Sequence, residues 1–318
     1  MNVPGSATFE RGSRSTIALA LVSVYVVWGS TYLALRYGLE GFPPFILNGL
    51  RFLTAGGAMY LVLRRRGVEK PTREQWWNSI RIAFLMLVGG VALVTVAEDQ
   101  GVGSGIAATA VAVMPLWAAL IGGLYGRWPA RREWLGLAIG FLGVVVLAQE
   151  GDFRASGLGI ALVVIAPMLW AFGSVWGSRK EQSSSAMATA AQLLAGGSAL
   201  MVLGPLRGER LTEMPPLPAW LALAYLTVMG SIVAYTAYVY LLKTVRPALA
   251  TSYAYVNPVV AVALGLTLGG ESITGPVWVA LPLILVGVGL TVTARKRPER
   301  RRSPAVTARL PIIAEDAA

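Results

Sequence analysis

Residues 105–126 read GIAATAVAVMPLWAALIGGLYG, and residues 248–269 read ALATSYAYVNPVVAVALGLTLG. Laid over one another without a gap, they place Pro115 on Pro258, Ala107 on Ala250, Val113 on Val256, Ala118 on Ala261, Gly122 on Gly265 and Gly126 on Gly269. Both stretches are free of charge, and each is close to the roughly 20 residues that cross a bilayer at 1.5 Å rise. Self-similarity at a fixed, long offset is the mark of an internally duplicated chain.

Outward from this pair the correspondence continues. Leu53 to Leu63, with Ala55-Gly56-Gly57, parallels Leu193 to Leu203, with Ala195-Gly196-Gly197. Trp28-Gly29-Ser30 parallels Trp170 followed by Gly173-Ser174, and Gly143 finds Gly287. Charge-poor stretches of spanning length recur at 17–35, 45–63, 82–97, 105–125, 133–148, 158–178, 186–204, 219–242, 248–268 and 277–294. The expected fold is therefore all-α and membrane-embedded, ten transmembrane helices in two five-helix units, 17–148 and 158–295. A cytoplasmic segment 1–16 precedes them, an external linker 149–157 joins them, and a basic cytoplasmic tail 296–318 follows. Because five is odd, the second unit enters the membrane from the opposite side, and the halves are inverted.

Composition agrees: of 318 residues 55% are hydrophobic and 14% charged, too little polar surface for a water-soluble globule of this size. The first apolar run after Arg11 and Arg14 continues to nearly spanning length with no small-residue cleavage site, so it reads as a first span rather than a removed leader. The net charge of +11 is sorted by side. With the N-terminus in the cytoplasm, 22 of the 27 Lys and Arg residues fall on cytoplasmic segments. Four (Arg36, Arg154, Arg207, Arg210) fall outside, and Arg51 lies within a span. That bias follows the orientation rule for basic residues in an inner membrane and accounts for the charge without a nucleic-acid partner. Trp76, Trp77, Trp128, Trp134, Trp220 and Trp278 sit at predicted span ends, where an amphipathic ring is best placed, and Thr72 with Gln75 reads as a capping box.

The chain has no cysteine and no histidine, which removes disulfides, thiol nucleophiles, imidazole bases and the commonest metal ligands. No phosphate-binding loop or nucleophile elbow occurs, and Gly101-Val102-Gly103-Ser104-Gly105 reads as a turn into the fourth span. Catalytic residues, cofactor and metal are accordingly not expected. With connections this short, function must lie in the bundle and draw on a gradient. Inverted-repeat carriers bind substrate near the midplane between the halves.

These tracts carry a resemblance. Trp28-Gly29-Ser30-Thr31-Tyr32, Pro43-Pro44, Leu50-Arg51-Phe52, Ser104-Gly105-Ile106-Ala107-Ala108 to Met114-Pro115-Leu116, and Pro247 to Pro258 with Gly269-Gly270-Glu271 resemble the drug/metabolite transporter superfamily. Within it they resemble the EamA-domain proteins and in particular the YedA-type exporters. The resemblance covers about residues 17–295 and implies a five-plus-five fold with the first four helices of each half around a central cavity. It also implies export of metabolites such as amino acids or of amphipathic drugs. The first half has Gly126-Arg127 where many members repeat the Gly-Glu seen at Gly270-Glu271, so that glutamate is given no paired role.

Few polar residues interrupt the spans. Arg51 lies roughly 10 Å deep, with Asn48 one turn before it on the same face. Glu98 is the acid nearest in depth and the candidate for proton coupling, while the alternative for Arg51 is to snorkel or to tie helix ends. Trp28 and Trp170 would flank the centre of the cavity, suiting apolar or cationic solutes, or else simply fill the core. Tyr32 joins them from the same tract. Tyr253 and Asn257 share one face of the ninth helix, and Asn257 needs either a helix partner or a ligand in a wet cavity. Pro115 and Pro258 are hinges or static kinks. Gly122-xxx-Gly126, Gly136-xxx-Gly140 and Gly265-xxx-Gly269 read as sites of close packing. Gln192 reads as structural.

The leading function is thus a secondary transporter exporting small solutes by alternating access, with a small-molecule substrate and the lipid bilayer as partners and a homodimer as an open option. A flippase or lipid-linked carrier is the alternative, and an intramembrane enzyme is disfavoured.

Overall fold

The computed structural model describes residues 13–102, 107, 111–148, 157–268 and 275–293, and no strand occurs among them. Its helices are α1 (Arg14–Leu39), α2 (Pro44–Arg65), α3 (Arg73–Asp99), α4 (Met114–Leu124), α5 (Arg131–Ala148), α6 (Gly157–Gly177), α7 (Ser185–Leu206) and α8 (Leu217–Thr244). They are followed by α9 (Pro247–Ala250 and Tyr253–Leu268) and α10 (Gly275–Thr293). Six of these (α1, α2, α3, α6, α7 and α8) are long and apolar enough to cross a membrane, while Met114–Leu124 and Trp278–Thr291 are shorter apolar stretches. The linker residues 149–156, Gly269-Gly270-Glu271 and the basic tail lie outside the described residues.

Local signals start and stop these helices. Ser13 Oγ accepts from Thr16 N–H, and Thr72 and Gln75 form the reciprocal box, each side chain accepting from the other's backbone amide at 3.2 and 3.1 Å. Gly126 ends α4 at φ +81°, a left-handed backbone that a side chain would strain. This differs from the expected packing motif: among the described residues a methyl on Gly122 would meet only Arg127 O, at 3.7 Å, so the Gly122-xxx-Gly126 pair terminates a helix instead of joining two. Pro115 lies in the first turn of α4, where a missing N–H goes unmissed, whereas Pro258 lies inside α9.

Large apolar side chains point outward along the bundle, with Leu19 69%, Leu124 80% and Leu206 78% exposed. Water would not tolerate such a surface, and lipid would. Trp77, Trp128, Trp220 and Trp278 are exposed as well, as interfacial rings are expected to be.

Helices at equivalent places in the two halves meet each other directly. Where α5 crosses α10, a methyl on Gly287 would lie 2.5 Å from Gly140 N, and one on Gly136 would lie 2.7 Å from Gly287 O. Where α2 crosses α7, Gly56 faces Leu194 N and Gly197 faces Leu53 N, both at 2.7 Å from the same construction. Backbones come this close only where side chains are absent, which stabilises helix pairs in lipid through dispersion contacts. Other pairings across the halves set α1 on α8 and α9, and α6 on α3 and α4. At the bundle ends, Phe45 and Ile46 N–H donate to the Glu209 carboxylate at 2.9 and 3.1 Å, and Arg246 pairs with Glu133 at 2.6 Å.

Two helices widen at matching positions. Phe84–Ala92 of α3 and Leu226–Ala234 of α8 are π-helical, so that residue 84 corresponds to 226 and 92 to 234. This is the same 142-residue offset that relates Trp28 to Trp170. Segments of this type are rare and tend to occur at functional sites.

Candidate functional site

The two widened segments flank a cavity of about 90 Å³ at the centre of the bundle, several times the roughly 10–15 Å³ that one water molecule needs. Trp28 and Tyr32 from α1, Arg51 from α2, Trp170 from α6, and Tyr253 and Asn257 from α9 all border it. These are six of the seven substrate-binding candidates, drawn from both halves. The seventh, Asn48, stands behind Arg51: Arg51 Nη1 donates to Asn48 Oδ1 at 3.4 Å, while Asn48 Nδ2 donates to Pro44 O and Thr95 Oγ1 at 3.0 Å.

The two indoles meet edge to face with centroids 5.6 Å apart. Trp28 Nε1 donates to Gly230 O at 3.0 Å and Trp170 Nε1 to Tyr238 OH at 3.1 Å, so each ring has its polar edge satisfied by protein. Tyr253 packs on Trp28 at 4.6 Å, and Tyr238 lies 5.1 and 5.8 Å from Trp28 and Trp170. Tyr235 completes the cluster and donates its hydroxyl to Gln192 Oε1 at 2.6 Å, which gives Gln192 the structural role read for it. The glycines of the π segments make room for this group: a methyl on Gly90 would lie 2.5 Å from Trp170 Cε3, and one on Gly230 would lie 2.9 Å from Arg51 Nη2.

Arg51 is 5% exposed and donates through Nε to Ser231 Oγ at 2.7 Å. Among the described residues it forms no ion pair, and Glu98 does not reach it. Glu98 sits one turn beyond Thr95 and does not border the cavity; its Oε1 is buried without a hydrogen-bond partner. Tyr32 lies within interaction range of both Glu98 and Asn257. Asn257 Oδ1 is likewise buried with no protein donor, although the residue borders the cavity. Among the described residues Asn257 therefore has no helix-to-helix bond at this oxygen. No group of three or more potential metal-ligating side chains occurs among the described residues.

Ser231, Gly230, Tyr235 and Tyr238 were not legible as site residues. Each is an ordinary residue of a long apolar helix. The signal that could have found Gly230 is its 140-residue correspondence to Gly90, which falls within the repeat offset.

Comparison with known sequences decides the family. The chain matches the EamA-like transporter family twice, over residues 15–149 and 157–293. It belongs to that family. The relatives of this EamA-like chain include the "Uncharacterized inner membrane transporter YedA" of Escherichia coli (strain K12), 44% identical over 276 residues, covering 87% of this chain and 90% of that one. Another is a "Probable amino-acid metabolite efflux pump" of the same organism, 26% identical over 300 residues, covering 88% and 95%. A solved crystal structure at 22% identity superimposes with a TM-score of 0.75 over 89% of this chain and 98% of that one, a likeness of fold. The EamA-like chain is a multi-pass membrane protein of the transporter class.

Proposed function

We propose that this EamA-like protein exports small organic solutes across the inner membrane by alternating access, with ten spanning helices, inverted halves and both termini in the cytoplasm. The observation that carries this reading is the central cavity walled by equivalent elements of both halves, Trp28 with Trp170 and the π segment of α3 with that of α8. A site shared by the two halves is exposed to one side or the other according to which half has tilted, so one site serves both faces of the membrane. The proposed transport is secondary, in keeping with a sequence that carries no phosphate-binding loop, and Glu98 is the acid proposed to carry a coupled proton.

The test is counterflow and efflux in proteoliposomes with a panel of amino acids, organic acids, sugars and cationic dyes. Export of at least one class, competed by its analogues, is expected. Failure of every class in correctly oriented, folded protein defeats the reading.

A further inference from the structure

We propose that the cavity takes an organic monoanion, a single carboxylate or sulfonate on an apolar body, and that Arg51 reads the charge. The inference rests on the transporter reading and adds the class of substrate.

Arg51 brings a permanent positive charge, because a guanidinium does not deprotonate in proteins under ordinary conditions. Its five N–H donors are met by one short bond to Ser231 and one long bond to Asn48, and among the described residues Nη2 has no protein acceptor. Both hydrogen-bond partners are neutral, as is the Phe52 ring, whose centroid lies 5.0 Å from Arg51 Cζ. A guanidinium held away from water with no counter-ion is costly, and structures rarely keep one unless something else supplies the negative charge. Among the described residues no Asp or Glu borders the cavity, and Glu98 forms no ion pair with Arg51. The missing charge is therefore the ligand's, and a planar carboxylate or a sulfonate matches the guanidinium fork.

The walls define the rest of the molecule. Both indole N–H groups are already bonded to Gly230 and Tyr238, so what Trp28 and Trp170 offer inward is apolar ring surface. Asn257 Oδ1 is a single free acceptor, which a hydroxyl or amide N–H on the solute would meet. A cation finds aromatic rings here but no carboxylate, and it must share a small cavity with Arg51. Of the apolar or cationic solutes that the tryptophans suggest, the apolar body is kept and the cation is replaced by an anion.

Purified full-length protein in detergent is titrated with phenylacetate, phenylmethanesulfonate, phenylacetamide and phenethylamine, and binding is read by equilibrium dialysis and thermal shift. The two anions are expected to bind about ten-fold or more tighter than the isosteric amide, with the amine weaker still. Arg51→Gln is expected to abolish the anion preference, and Arg51→Lys to keep the preference at reduced affinity. Amide or amine binding as tightly as the acid in the wild-type protein overturns the proposal, as does an unchanged preference in a folded Arg51→Gln protein or a lost one in folded Arg51→Lys. If Arg51→Gln does not fold, the wild-type panel and Arg51→Lys still decide. Counterflow of phenylmethanesulfonate, which stays charged at every working pH, separates the two readings. Transport of phenethylamine alone leaves the exporter standing and sinks the anion site, whereas anion-selective binding without transport of any solute does the reverse.

Discussion

Trp28 and Trp170, from corresponding helices of the two halves, meet at the centre of the molecule with ring planes 84° apart. The contact lies where the halves face each other, so any movement of one half against the other passes through it. Such edge-to-face pairs contribute about 0.5–1.5 kcal/mol beyond the area they bury.

Trp28→Phe keeps an aromatic face but leaves Gly230 O without its donor. A loss of about 0.5–1.5 kcal/mol is expected from the missing indole hydrogen bond, read as a lower melting temperature in detergent. Trp28→Ala also opens a cavity and is expected to cost about 3–5 kcal/mol. Wild-type melting and wild-type apparent affinity in both variants, and in Trp170→Ala, would remove these rings from the substrate path.

Gly287→Ala drives a methyl into the backbone of Gly140, which has no side chain to move aside. A cost of about 1–3 kcal/mol is expected for such overpacking. Gly289→Ala, two residues along the same helix with nothing within 4 Å, is the matched control and should melt like the wild type. Equal melting of the two variants would mean that α5 and α10 are not in backbone contact.

In the paired π segments, Gly90→Ala presses on a ring and Gly230→Ala on a flexible guanidinium and Thr31. The first is expected to destabilise the protein more. The second is expected to spare stability and lower affinity for solute, because it displaces Arg51. Solute affinity unchanged in Gly230→Ala would place the binding site elsewhere.

Reporter fusions at residues 40, 151 and 209 are expected to lie outside, and fusions at 68, 181 and 300 inside. The 22-to-4 sorting of basic residues motivates the map. Fusions at 151 and 181 reporting the same side would contradict the inverted arrangement.

For Glu98, the expected outcome of Glu98→Gln is intact solute exchange with loss of accumulation driven by a pH gradient. The substitution is nearly isosteric and removes only the titratable proton. Driven accumulation equal to that of the wild type would exclude the role.

Much of this arrangement was open to reading from residue types and spacing. The duplicated prolines display the repeat, and Trp28, Trp170 and Arg51, singled out by offset and depth, all border the cavity. Spans and side chains on one helix face are set by a single period, which a sequence displays. What it does not display is the register between helices: Glu98 is the acid nearest Arg51 in depth, yet Thr95 meets Asn48 one turn below Glu98 and one turn above Arg51, so the two lie about two turns apart and the pair does not form. Gly122 and Gly126 carry the spacing of a packing motif, but only the left-handed backbone at Gly126 reveals a stop. Tyr235 and Tyr238 stayed hidden because the widened segment just before them breaks the 3.6-residue rhythm by which faces are assigned.

That widening has a genetic corollary. Each wide turn takes up one residue more than an α turn, so whatever follows it is carried round the axis by about 100° for every turn so enlarged. Thr95 reaches Asn48 from just beyond Phe84–Ala92, and Ser231 reaches Arg51 from within Leu226–Ala234. Deleting a single codon inside either stretch would let the coil tighten into an uninterrupted, equally apolar rod that still crosses the bilayer, while wheeling these hydroxyls away from their partners. Such alleles would be present in the membrane at ordinary abundance and silent in transport, and they would single out these two stretches among all the spans.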